Sequence, residues 1–202
     1  MSYDGKCQLL TIGDSTVGKT SILSRYANNI FSSNYLATVG LDNFTKDEII
    51  DGKTIRIKIW DTAGQEKFHS LAKGFFHNAQ GIMIVYDVTN SETYQNLKYW
   101  TQSIKTHMGN DIDKIEVIII GNKIDSTDRE VNKQEAEAFC SELGYPYFET
   151  SAKTGENVNT TIQFLVRNVL KKNNLVRSKS FNENNNGTVK INKQKSEAGC
   201  PC

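Results

Sequence analysis

Gly13-Asp14-Ser15-Thr16-Val17-Gly18-Lys19-Thr20 has the form G-x-x-x-x-G-K-[ST]. The apolar run Cys7-Gln8-Leu9-Leu10-Thr11-Ile12 leads into it, and Ser21-Ile22-Leu23-Ser24-Arg25-Tyr26 leads out. Strand, glycine-rich loop and helix in that order are the setting a phosphate-binding loop requires. Gly13 and Gly18 let the backbone turn so that N–H groups from Asp14 to Ser21 converge on one anionic cluster. The helix that starts near Lys19 points its partly positive end at the same place. Lys19 adds a full charge for β- and γ-phosphates, and the Thr20 hydroxyl is a hard oxygen ligand of the kind Mg²⁺ takes.

Outward from this loop, strand-like and helix-like runs alternate, which predicts an α/β fold with a mostly parallel sheet. Six runs read as strands: the one before Gly13, then Phe44–Ile50, Thr54–Trp60, Gly81–Tyr86, Val117–Ile120 and Tyr147–Thr150. Asp51-Gly52 between the second and third is a strong hairpin signal. The unbroken apolar runs Gly81–Tyr86 and Val117–Ile120 suit central strands covered by helices on both faces. Ser91–Met108 is expected to form one helix. Asn132 is expected to cap a second, ending at Leu143 before Gly144. A third runs from Val158 to about Leu170. Asn28–Asn43 and Asp61–Asn78 are polar and irregular.

With 202 residues and a net charge of +1, the chain suits one domain plus an appendage and is no evident nucleic-acid binder. From Lys171 to Gly199, seven Lys/Arg and two acids give +5, which leaves −4 elsewhere. A basic tail on a mildly acidic domain suits an anionic surface. The expected division is a domain over 1–172 and a disordered tail over 173–202, reaching roughly 30 Å. No signal peptide or membrane span is expected, which places the chain in the cytosol with Cys7 and Cys140 as buried thiols. His69, His77 and His107 have no metal-binding spacing.

Further elements are expected to converge on the phosphate loop. Asp61 follows a strand and can hold Mg²⁺ through water, and Thr38 can close on the ion when a γ-phosphate is present. The Gly64 N–H can approach that phosphate. Gln65 can orient an attacking water, so Gln65 and Lys19 are the candidate catalytic residues. Asn122-Lys123-Ile124-Asp125 follows the Val117–Ile120 strand, at the carboxyl end where open sheets bind ligands. Asp125 can accept two hydrogen bonds from an N–H/NH₂ edge, which guanine presents and adenine does not. At roughly 1.5–3 kcal/mol per charge-assisted bond, adenine is disfavoured by about two to four orders of magnitude. Ser151-Ala152-Lys153 supplies backbone N–H groups for the guanine carbonyl. Singly, each of these is an ordinary turn or cap residue. Together they would need five coincidences in sequence order.

The set GDSTVGKT, Thr38, WDTAGQE (Trp60–Glu66), NKID and SAK, in that order and spacing, resembles the Ras superfamily of small GTPases. IWDTAGQEKF, VYDVT (Val85–Thr89) and the terminal Cys200-Pro201-Cys202 resemble its Rab branch. The likeness covers Cys7 to about Leu170. It implies a small G domain with a six-stranded sheet and a GTP/GDP switch in which Thr38 and Gly64 are held by γ-phosphate and then released. It also implies that Phe31 packs on the base and that Lys123 lies along the nucleotide. The family's cycle implies slow hydrolysis, an exchange factor, a GTPase-activating protein, a GDP-dissociation inhibitor and effectors, on a monomeric G domain that regulates vesicle trafficking. The Cys-x-Cys ending implies geranylgeranyl chains on Cys200 and Cys202, hence a lipid anchor on the cytoplasmic face of a membrane, cycling with cytosol. Thr16 stands where the family has glycine, and Asn43 where Rab proteins carry phenylalanine. Phe75-Phe76-His77-Asn78 replaces paired tyrosines and arginine. Phe44 lies one residue from the expected aromatic, so either the hairpin start shifts or the partner surface is atypical. A non-hydrolysing GTP-binding scaffold and a P-loop kinase are the two competing readings. Retained Gln65 opposes the first, and the lack of a spare lid segment the second.

Overall fold

The computed structural model describes residues 3–33, 41–62 and 76–185, apart from the side chains of Leu41 and 174–185. β1 (Gly5–Ile12) and α1 (Lys19–Asn28) flank the phosphate loop. β2 (Leu41–Ile50), β3 (Lys53–Thr62) and β4 (Gly81–Asp87) follow. Then come α2 (Ser91–Gln95), α3 (Leu97–Met108), a 3₁₀ segment (Gly109–Lys114) and β5 (Glu116–Asn122). α4 (Lys133–Leu143), β6 (Tyr147–Thr150) and α5 (Val158–Asn185) complete the order.

The strands form one six-stranded sheet in the order β2-β3-β1-β4-β5-β6. Among the described residues, only the β2–β3 pair is antiparallel. Alternate residues of each central strand enter opposite cores. Cys7, Leu9, Met83, Val85, Ile118 and Ile120 pack against Ile22, Leu23 and Tyr26 of α1 and Ile162 and Leu165 of α5. Leu10, Ile12, Ile82, Ile84, Val117 and Ile119 pack against Trp100 and Ile104 of α3 and Ala136 and Cys140 of α4. Two helix-covered faces explain why β4 and β5 are apolar without alternation. Both expected buried thiols, Cys7 and Cys140, are there, and burial pushes each up to about 12.

The hairpin turns at Asp51 (φ +50°) and Gly52 (φ +78°), the two positive φ angles that a two-residue hairpin needs. Its register settles the aromatic question. Asn43 pairs with Trp60 and Phe44 with Ile59. Phe44 therefore packs against the α1/α5 core while Trp60 packs against the opposite one. The hairpin start has not shifted, and Asn43 stands exposed beside Trp60.

Two expectations are corrected. The helix expected over Ser91–Met108 is divided into two at Asn96 (φ −69°, ψ −7°), although the Asn96 N–H still donates to the Glu92 carbonyl and its carbonyl accepts from the Trp100 N–H, each at 3.0 Å. The last helix does not stop near Leu170 but reaches Asn185, since no glycine or proline lies between Lys171 and Asn185. Thr38, Gly64, Gln65, Phe75, Cys200 and Cys202 lie outside the described residues, as does 186–202 of the expected tail. Among the described residues no helix is long and apolar enough to cross a membrane.

Candidate functional site

The site lies at the carboxyl ends of the parallel strands. Register brings Thr11 of β1 beside Asp61 of β3, Asp87 of β4 beside Asn122 of β5, and Asn122 beside Thr150 of β6. The phosphate loop leaves β1 through Gly13 (φ +138°), where a Cβ would sit 2.1 Å from the Val85 carbonyl oxygen. At Gly18 (φ +95°) a Cβ would meet Asn122 Nδ2 at 2.4 Å. Both glycines are required by close approach as well as by φ. Thr16, by contrast, holds φ +64° with a β-branched side chain turned to solvent. That conformation is strained for threonine.

Lys19 is buried at the first turn of α1, and its Nζ donates to the carbonyls of Gly13 (2.9 Å) and Asp14 (2.6 Å). Burial lowers its pKa from 10.5 to about 8, against the opposing pull of Asp61 and Asp14. A buried charged amine hydrogen-bonded to two carbonyls is placed to take an anion. Ser15 is exposed, Val17 anchors the loop in the core, and Ser21 is half-buried.

The two described metal candidates meet directly. Thr20 Oγ1 donates to Asp61 Oδ2 at 2.5 Å. Asp61 is fully buried, and its Oδ1 has no hydrogen-bond partner among the described residues. Burial raises this carboxyl's pKa, with the Thr20 bond and Lys19 opposing. A buried carboxylate oxygen without a partner is costly unless a cation or water reaches it. Hard oxygen donors around such an atom fit Mg²⁺.

On the base side, Asn122 is 1 % exposed and every polar atom of its amide is used. Nδ2 donates to the Val17 carbonyl (2.9 Å), while Oδ1 accepts from Thr150 Oγ1 (3.1 Å) and the Ala152 N–H (3.2 Å). Its part is to tie the phosphate loop to the 151–153 loop. Lys123 (φ +71°) rests its ammonium on Asp87 Oδ2 at 2.5 Å. Asp125 accepts from the Ser151 hydroxyl at 2.5 Å and lies 3.6 Å from Lys153 Nζ. Phe31 is half-buried against the α1/α5 core.

Two residues have partners that sequence reasoning missed. The Asp14 carboxylate accepts from Asn96 Nδ2 and Trp100 Nε1, each at 2.8 Å, which fastens the phosphate loop to α3. Arg25, in the last turn of α1, donates to the carbonyls of Ala152 and Lys153. Its basic character near a helix C-terminus was the one available hint.

The Ras family model matches residues 8–171. The chain is 38% identical over 197 residues to the Ras-related protein Rab-8B of Homo sapiens, covering 97% of this chain and 94% of that protein. It is 40% identical over 169 residues to Rab-8A of Bos taurus, covering 83% and 80% respectively. With the Ras-related protein SEC4 of Saccharomyces cerevisiae it shares 36% over 194 residues, covering 95% and 87%. A phosphate loop, an acidic residue paired with its threonine and a further loop tied to the first are thus joined by a match that runs through all of them: the chain belongs to the Ras family and is a Rab small GTPase.

Proposed function

We propose that this GTPase is a GTP/GDP switch in intracellular vesicle trafficking, which recruits effectors in the GTP state and hydrolyses GTP slowly. The observation that carries the reading is the Asn122 amide. It makes one unit of a loop suited to phosphates and a loop suited to a guanine edge, from Val17 to Ala152. Lys19 and the loop amides hold and orient the β- and γ-phosphates. Asp125, steadied by Ser151, accepts from the guanine N–H and NH₂ groups. Gln65 positions the attacking water. Thr20, Asp61 and Thr38 would hold Mg²⁺, which supplies positive charge to the phosphate oxygens when bound. A GTPase-activating protein would accelerate turnover by roughly 10³–10⁵-fold. An exchange factor, a GDP-dissociation inhibitor and effectors complete the cycle, and Trp60 with exposed Asn43 forms part of the effector face. Geranylgeranyl chains on Cys200 and Cys202 would anchor the protein to the cytoplasmic face of a membrane.

Competition binding tests the base assignment. GDP should bind the full chain at least about 100-fold more tightly than ADP, and Asp125→Ala should erase most of that ratio. Equal affinities for GDP and ADP would contradict the reading.

A further inference from the structure

We propose that Arg25 is a positioning residue for guanine selection: from α1, it aims the hydrogen-bonding groups of the 151–153 loop at the 6-oxo edge of the base. The inference rests on the nucleotide reading above and adds a residue to it. Arg25 Nε donates to the Ala152 carbonyl at 2.9 Å and Nη2 to the Lys153 carbonyl at 2.7 Å. Nη1 donates to the carbonyl and Oδ1 of Asn29, at 3.0 and 3.1 Å. Asn29 is the left-handed residue that ends α1. One planar guanidinium is therefore fixed on its own helix and grips two consecutive carbonyls of the loop, a geometry that a lysine cannot copy.

Those two carbonyls control what the loop presents. The described backbone has no cis peptide bonds, and in a trans peptide the N–H points opposite to the C=O of the same unit. Drawing the Ala152 carbonyl toward Arg25 turns the Lys153 N–H away from it. That N–H has no acceptor among the described residues, whereas the Ala152 N–H is taken by Asn122. Drawing in the Lys153 carbonyl likewise sets the Thr154 N–H, which donates to Ser151 Oγ at 3.0 Å. Ser151 Oγ in turn donates to Asp125 Oδ1. Arg25 thus orients one free donor for a base carbonyl and, through Thr154 and Ser151, the carboxylate acceptor beside it. It does so from the helix whose first residue is Lys19, which fixes base and phosphate recognition to one rigid element.

The test compares release of GDP and of 6-thioguanosine diphosphate, whose sulfur is a weaker acceptor than the 6-oxo oxygen. It uses the full chain as wild type, Arg25→Gln and Arg25→Lys, with Mg²⁺ present and thermal unfolding recorded alongside. Wild type should hold GDP about fivefold longer than the thio analogue. Both variants should release GDP about tenfold faster, with the preference falling toward one. A simple brace would speed release of both ligands equally, so an unchanged preference in either folded variant overturns the proposal. So does a wild type that prefers neither ligand, or loss of the fold in both variants. If Arg25→Gln alone fails to fold, Arg25→Lys decides. A wild type that binds no GDP at all removes the nucleotide reading, and this inference with it.

Discussion

Lys19 holds its charge at 5% exposure, between two carbonyls and with a pKa near 8. A phosphate beside it would raise that pKa. Above about pH 8 the bound state then carries more protons than the free state, so binding takes up a proton and affinity falls as pH rises through that range. Below pH 8 the amine is charged in both states and this slope vanishes. Calorimetric GDP titrations in buffers of different ionisation enthalpy should reveal that uptake, and a flat affinity from pH 7 to 10 would exclude it. Thr16 offers a second check. At φ +64° a non-glycine residue costs roughly 1–2 kcal/mol, so Thr16→Gly should stabilise the chain by about 1 kcal/mol in denaturant unfolding, after glycine's own entropy cost. The family's glycine was legible as a missing residue, but only the backbone angle reveals what its absence costs. Lys19, Thr20 and Asp61 were legible because a strand, a loop and a helix start fix their places. The partners of Asp14 and Arg25 were not. They sit 82 to 128 residues away, and single hydrogen bonds of that span leave no periodic mark.

At the scale of elements, local chemistry was most legible where a side chain acts on its own backbone. Asn132 accepts from the N–H of Gln134 (2.8 Å) and Glu135 (3.4 Å), and Gly144 ends the helix at φ +76°. Asn132→Ala should therefore cost about 1 kcal/mol of stability, while Asn132→Ser costs little. Equal losses for both would mean that the cap is not the cause. The Asp51-Gly52 turn was read on the same basis, and the register it sets separates Phe44 from Trp60. The break at Asn96 was hidden. Its residues keep a helical pattern, and even the backbone bonds of Asn96, to Glu92 and from Trp100, have helical spacing. The overrun of α5 has a simpler origin, since a fall in hydrophobicity does not end a helix in the way that glycine or proline does.

Across the whole molecule, one sheet places the candidate phosphate, metal and base residues at the same strand ends, and the alternation of strand-like and helix-like runs made that architecture readable. What alternation does not specify is how loops from different strand ends are fastened to one another, which here falls to Asn122 and Arg25. Because the site joins α1, β3, β5 and β6, a bound nucleotide should stabilise the entire fold. GDP at about 100 times its Kd should add about 2.7 kcal/mol, most of it lost on chelating Mg²⁺. In Asp61→Ala, chelation should change little. An equal chelation effect in both proteins would place the ion elsewhere.

The central claim, a slow GTP-hydrolysing switch, is tested most directly by single-turnover phosphate release from the full GTP-loaded chain with Mg²⁺, beside Gln65→Leu. Slow release by the native chain that Gln65→Leu abolishes is the predicted result. No release by the native chain, or release at the same rate from Gln65→Leu, would contradict the account.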